Sequence, residues 1–351
     1  MPTSNTRVPP SMRVAVYTER GRMDVEERPV PAVGPGEVLL EVSHCGICGS
    51  DIHVVLEGWG SPGSIEGHEY SGTIVAVGDG VTRWHVGDAV VGGPTPRCGR
   101  CEFCVAGRPQ LCVERDSPGE GVHTDGAFAE YVRVREDTIL RVPDGLSLRA
   151  AALAEPLAVA LHALTRGGVR AGHRVLVTGA GPIGALSVAA ARARGVTDVV
   201  VSEPHPRRRE LAERLGARTV EPDALVTPAS PSAIVDEPFD IVLECSGHAA
   251  AMEAALGQLR AAGTLVLVGA GLERPQFNNN RILLNELTVT GAFVYDADGF
   301  ERALELLASP DFPTGTLIEA DDVPLDRIIG AMRGLADGEL AAKVMIVPRT
   351  G

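Results

Sequence analysis

The feature that most restricts the fold of this chain is a glycine run, Gly179-Ala180-Gly181-Pro182-Ile183-Gly184, between the β-branched segment RVLVTG and the Ala-rich segment PIGALSVAAARARG. Glycines at G-x-G-x-x-G spacing, where a strand gives way to a helix, permit a sharp turn, close approach of a pyrophosphate to the backbone, and tight helix–strand contact. A parallel β-α-β unit is the expected result, with phosphates at the helix N-terminus. The chain continues in the same manner: DVVVSE, the helix PRRRELAERLG, FDIVLECSG, the helix AAMEAALGQLRAAG, TLVLVG and ELTVTG. Pro182 and Pro206 suit first helical turns, and Gly195 and Gly216 suit helix stops. Alternation of this kind implies an α/β fold, a doubly wound parallel sheet covered on both faces.

Glu203 ends the next strand about 20 residues beyond the last glycine, where a ribose-binding carboxylate belongs. A carboxylate there accepts hydrogen bonds from a ribose 2′-hydroxyl and repels a 2′-phosphate, which predicts NAD over NADP. Arg207, Arg208 and Arg209 follow. They form either a solvated first-turn face or a reach toward a 2′-phosphate. The expected nucleotide contacts are Gly179, Gly181, Pro182, Ile183, Gly184, Glu203 and Arg208.

The rest of the chain has a different texture. From Met12 to about Pro143, short runs such as RVAVY, EVLLEV, GTIVAVG and DAVVGG are separated by Gly, Pro and Asp turns, an all-β pattern. The segment LRAAALAEPLAVALHALTRGG is apolar at helical spacing and joins the two regimes. After Thr290 a helix, FERALELLAS, precedes a last strand, KVMIVP, which returns to the β-rich part. A length of 351 residues also suggests two domains.

Composition excludes several classes of function. With 32 basic and 46 acidic residues, the net charge of −14 disfavours nucleic acid and anionic membrane as partners. The longest uncharged stretch, 175–191, is broken by Gly179, Gly181, Pro182 and Gly184, so no membrane span is predicted. The leader MPTSNTRVPP lacks a secretory apolar core, and a cytoplasmic location is expected. Lys343 is the single lysine, which reads as a mark of a GC-rich genome.

Six of the seven cysteines fall in two groups. In a cytosolic chain such grouping points to metal before disulfides. Cys98, Cys101, Cys104 and Cys112 lie in a turn-rich stretch with little to bury, and four thiolates at this spacing can wrap a tetrahedral zinc ion. The first three match an iron–sulfur spacing, but the fourth lies too far on and Val113 replaces the usual proline. Four protein ligands leave no open position, so this zinc is expected to be structural. The other group is spread over CGICGSDIH (45–53), GHE (67–69) and EPLAVALH (155–162).

Together GICGSD, GHE, the four-cysteine lobe, EPL, GAGPIG and the closing KVMIVP resemble the zinc-dependent medium-chain alcohol dehydrogenases, in particular the polyol, threonine and 2,3-butanediol branch. The resemblance implies a GroES-like β-barrel catalytic domain (12–165 and 297–351) and a Rossmann domain (166–296). It also implies Cys48 and His68 as ligands of a catalytic zinc, joined by Glu69 or Glu155, with Cys45 excluded. Ser50 and His53 then form a proton relay, and Asp51 orients the histidine ligand. The chemistry suits these groups. Zinc lowers the pKa of bound water from 15.7 to about 7, and the same Lewis acidity eases proton loss from an alcohol before hydride leaves for NAD.

The expected reaction is reversible hydride transfer from a secondary alcohol, diol or polyol to NAD. Val294 stands where sorbitol dehydrogenases carry an arginine, which weakens the case for sorbitol itself. Trp59, Phe293 and Tyr295 are candidates for the pocket lining. The remaining histidines, His123 and His162 among them, are assigned no role, and Cys245 is read as a packing thiol. An NADP-dependent aldehyde or ketone reductase and a catalytically silent NAD-binding protein are the alternatives. Relatives imply a homo-oligomer, a dimer or tetramer.

Overall fold

The computed structural model describes residues 8–93, 98–114 and 126–349. His123 and most of the expected leader lie outside the described residues.

A six-stranded parallel sheet runs in the order Arg218–Val220, Asp198–Ser202, Arg174–Thr178, Phe239–Glu244, Leu259–Leu267, Thr288–Gly291. Side chains alternate between two cores. Val175, Val177, Val199 and Val201 enter the larger one, while Leu176, Val200 and Val242 enter a smaller one on the opposite face. Both faces are thus buried, as the unbroken apolar runs of the sequence require. In chain order the strands stand 3-2-1-4-5-6, so growth of the sheet reverses between Arg174–Thr178 and Phe239–Glu244. A crevice opens at the carboxyl ends of strands at such a reversal. The glycine run leaves the first of these strands and the turn Cys245–Gly247 leaves the second.

The second sheet has seven strands, six on one path with Glu37–Gly46 near its centre and the seventh, Tyr131–Arg135, paired to that strand off the path. The chain returns to it at the end, where Met345–Val347 lies antiparallel to Cys45 and Gly46. A hairpin, Ser11–Glu19 with Arg22–Pro29, joins through bridges from Val14 to Ala129 and Val16 to Ile65.

The joining segment forms two helices, Leu148–Ala151 and Ala154–Arg166. By length and hydropathy 148–166 could cross a membrane, but 72% of that window is buried inside the fold, which makes it a core helix. One element differs from expectation. The segment AAMEAALGQLRAAG is helical only over Ala249–Gly257, and Leu259 opens a nine-residue strand. Buried Arg281 donates to the carbonyls of Leu256, Gly257 and Leu259, satisfying the helix end at that point.

Candidate functional site

Strand register assembles the first part of the site. Gly46 pairs with Glu69 on one side and with Met345 on the other. A Cβ on Gly46 would stand 2.1 Å from Glu69 Oε2 and 3.1 Å from Lys343 Cδ, so a glycine is needed to leave room for both. In that room Lys343 Nζ donates to Glu69 Oε1 at 2.7 Å and to the Ile47 carbonyl at 2.9 Å. Both side chains are buried. The single lysine, to which the sequence alone assigns no functional role, thus belongs to the site. A buried ammonium is retained only with a partner of opposite charge, and here that partner is part of the site.

Cys48 is the N-cap of the helix Gly49–Leu56. Asp51, buried in its first turn, accepts from Cys48 N at 2.8 Å and from Gly67 N at 3.3 Å, and its Oδ1 lies 3.6 Å from His68 Nδ1. One carboxylate thus straps the two ligand-bearing loops together. Donor atoms of Cys48, His68 and Glu69 all fall within 4.8 Å of one another. Glu69 Oε2 is buried without a hydrogen-bond partner, a defect that a cation would repair. A thiolate, an imidazole and a carboxylate are a donor set suited to zinc. Glu155, in the first turn of Ala154–Arg166, lines the cavity beside Cys48 and His68 but is not a member of the three-residue set. Cys45 is buried outside it.

The field in this region favours a cation. Burial lowers the His68 pKa, but Asp51 and Cys48 outweigh it and hold the imidazole well above its ordinary value. Burial pushes the Glu155 carboxyl up to about 7, with His68 opposing and Glu69 adding to the rise.

These groups open into a cavity of about 420 Å³ that Ser50 and His53 also line. The His53 ring stacks on Trp59 with centroids 4.7 Å apart, and its Nδ1 is 2.8 Å from Glu57 Oε1. Trp59, expected in the pocket lining, instead supports His53. Tyr295 is likewise corrected: it is fully buried edge-on to Phe300. Phe293 does line the cavity.

A second cavity, of about 500 Å³, lies over the glycine run. Gly179 has φ 84°, and a Cβ there would strike Ser246 at 2.8 Å. A Cβ on Gly184 would lie 2.0 Å from the Gly179 carbonyl oxygen. Gly181 faces open space up to the Arg208 guanidinium at 3.9 Å, a cradle that a side chain would fill. Pro182 opens the helix Pro182–Ala193, and Ile183 lines the first cavity. Glu203 accepts from Ala180 N at 2.7 Å and from His205 N at 2.9 Å, which fixes its carboxylate at the floor. Of the three arginines only Arg208 lines this cavity; it donates to the Leu335 carbonyl, and its Nε is buried without a partner. Arg207 donates to the Glu339 carbonyl and Arg209 to those of Glu203 and Pro204.

Cys245 and Ser246 line both cavities, so the two meet at the turn after Phe239–Glu244. Burial pushes the Cys245 thiol up, which disfavours a nucleophilic role. Glu244, absent from the expected site, is fully buried and accepts from Ser246 N at 2.8 Å and Gly247 N at 3.2 Å. It braces the turn on which the cavities join. An acidic residue closing an apolar strand, as in VLECSG, was its only signal.

The four-cysteine lobe stands apart. Its four sulfur atoms lie within 4.8 Å of one another, and none of the cysteines is in a disulfide. Backbone N–H groups of Cys98, Cys101 and Cys104 donate to the sulfurs of Cys112, Cys98 and Cys101. The bond from Cys104 N is the main reason the Cys101 thiol is drawn down to about 6, while burial pushes the Cys104 thiol up to about 12.

A dinucleotide crevice meeting a thiolate–imidazole–carboxylate pocket defines a nicotinamide-dependent dehydrogenase of the zinc type. The family described as Alcohol dehydrogenase GroES-like domain matches residues 34–144, and that described as Zinc-binding dehydrogenase matches residues 182–309. Sorbitol dehydrogenase of Bacillus subtilis (strain 168) is 36% identical over 97% of this chain and 98% of its own length. The crystal structure of 2R,3R-butanediol dehydrogenase from Bacillus subtilis superposes with a TM-score of 0.85 at 31% identity, covering 97% of this chain and all of that one (100%). A zinc-binding dehydrogenase from Sinorhizobium meliloti 1021, bound to NADP, gives 0.84 at 33% identity, covering 96% and 99%. The chain belongs to the zinc-binding alcohol dehydrogenase family, and it is an oxidoreductase acting on alcohols with a nicotinamide nucleotide.

Proposed function

We propose that this enzyme oxidises a secondary alcohol, diol or polyol to the ketone, reversibly, with NAD as hydride acceptor and zinc held by Cys48, His68 and Glu69. One observation carries the reading: three zinc-type donors lie within 4.8 Å of one another, and two of them, Cys48 and His68, line a cavity that joins the nucleotide cavity at Cys245 and Ser246. Zinc, when bound, supplies Lewis acidity toward the alcohol oxygen, and NAD supplies the hydride acceptor. The substrate gives up a hydride from the carbinol carbon, for which NAD held over Gly179, Gly181 and Glu203 would be the acceptor, and a hydroxyl proton, which goes to solvent. Ser50 takes that proton, and His53, held by Glu57 and Trp59 at the cavity edge, passes it outward. Lys343 holds Glu69 in place, while Glu155 faces the cavity as a reserve carboxylate.

The four-cysteine lobe holds a second, structural zinc in this reading. The catalytic part comprises 12–165 and 297–351, and the nucleotide-binding part 166–296. Glu203 supports NAD. A specific observation favours NADP as the second reading: the buried, unpartnered Nε of Arg208 lies in a residue lining the same cavity. Steady-state kinetics decide between them. NAD is expected to give at least about tenfold higher kcat/KM, the scale of one lost charge-assisted contact, and a preference for NADP would overturn the assignment. Grouped free thiols suit a reducing cytoplasm. The exposed Leu283 and Leu284, close in sequence to the edge strand Thr288–Gly291, support a homo-oligomer, which sedimentation velocity would test.

A further inference from the structure

The cavity beside Cys48 and His68 has one wall whose backbone is held against its preference. Val294 adopts φ 53°, a left-handed conformation that a β-branched residue rarely takes. It lines the cavity next to Phe293. Its neighbours fix it on both sides. Ala292 N donates to the Leu267 carbonyl at 2.9 Å, and Tyr295 is buried against Phe300. The Asp296 carboxylate lies 3.5 Å from His162 Nδ1 and 3.6 Å from Arg302 Nη2, while Ala297 N reaches the Gly107 carbonyl of the four-cysteine lobe at 3.4 Å. Strain of this kind persists only where the surroundings over-determine it, and it gathers at ligand sites. Glycine would take this backbone freely. Valine instead presents an isopropyl group to the cavity.

Val159, Ile183, Val268 and Ala270 extend this apolar wall, while Ser50, His53, Glu155 and Ser246 supply the cavity's polar side chains besides Cys48 and His68. Among the described residues around this cavity there is no arginine or lysine; its ionisable groups are Cys48, His53, His68, Glu155 and Cys245. A carboxylate or phosphate on the substrate would find no cation beyond the metal site and would face Glu155. Ser50, His53 and Glu155 can serve a hydroxyl near the metal site, but a row of hydroxyls reaching past them would lose water against the alkyl wall. The nicotinamide must share the volume of about 420 Å³, which leaves space for substituents of a few carbons.

We infer that the substrate is a small, neutral secondary alcohol, or the corresponding ketone, whose compact alkyl substituent rests on Val294, and that hydroxy acids, sugar phosphates and long polyols are excluded. This rests on the dehydrogenase reading above and narrows it. The test is the rate of NADH formation by zinc-replete, full-length enzyme with 2-butanol, sorbitol and 3-hydroxybutyrate. The kcat/KM for 2-butanol is expected to exceed the other two by at least about tenfold, the scale on which apolar pockets discriminate. Val294→Thr keeps the branched shape but adds a hydroxyl, and it should narrow the 2-butanol to sorbitol ratio by about tenfold, mainly through KM. Val294→Gly removes the isopropyl group from the cavity and should lower kcat/KM for 2-butanol. Wild-type preference for sorbitol or 3-hydroxybutyrate, an unchanged ratio in Val294→Thr, or an unchanged kcat/KM for 2-butanol in Val294→Gly would overturn the inference. Failure of the dehydrogenase reading looks different: no alcohol yields NADH or NADPH, and no ketone consumes either.

Discussion

The four-cysteine lobe and the Cys48 pocket reach the same donor spacing by opposite routes. In the lobe the first and last ligands are 14 residues apart, and the sulfurs receive hydrogen bonds from the backbone of the same short loop. In the pocket the three donors span residues 48–69 and come from a helix start, a loop and a strand, and the lysine that secures one of them, Lys343, is 274 residues away from Glu69. The local set closes on itself with four thiols, which leaves a bound ion no free position. The dispersed set supplies three donors and borders a cavity, so one side stays open to a substrate. Locality gives a staple, whereas dispersion gives a reactive centre that depends on the whole fold.

Substitutions can break that contrast. The largest expected effect is on chemistry: Cys48→Ser should lower kcat by about a thousandfold, roughly 4 kcal/mol of barrier, in an NADH-formation assay, with the lobe unaffected. Next is Lys343→Met, which strands a buried carboxylate. Metal-free protein should lose about 3 kcal/mol in urea unfolding, and zinc should restore part of it, because the ion supplies the missing positive charge. A variant as stable as the wild type without metal would mean that the Lys343–Glu69 pair is dispensable. Third, Cys104→Ser should open the lobe to proteolysis about tenfold faster while kcat changes less than about threefold, as expected for a local unfolding unit. Equal losses of kcat in Cys104→Ser and Cys48→Ser would erase the distinction. The smallest effect is Glu57→Gln, which removes one partly exposed carboxylate from His53 and should reduce kcat about threefold at unchanged nucleotide KM.

The same contrast explains what the sequence could reveal. The glycine run was legible because each glycine answers a local steric demand, and a Cβ at Gly179 or Gly184 would collide in the folded chain. The lobe was legible because its ligands are neighbours in sequence. Lys343 was not, since nothing near residue 343 indicates that strand pairing will carry it to Glu69 across Gly46. Glu244 was missed for a related reason: a carboxylate that binds backbone N–H groups leaves no spacing pattern. Trp59 and Tyr295 were placed by residue type, and aromatic side chains serve cores and cavities equally well. The helix ending at Gly257 was overrun because Arg281, from a later segment, terminates it. Local rules therefore recovered the frame of the fold, and long-range pairing decided the details of the pocket.

Anomalous scattering at the zinc edge from crystals of the zinc-replete enzyme tests the central claim most directly. Two peaks per chain are predicted, one within the four sulfurs and one about 2.3 Å from Cys48 Sγ and about 2.0 Å from a His68 nitrogen and a glutamate oxygen. A single peak in the lobe, with the Cys48 pocket empty in catalytically active crystals, would contradict it.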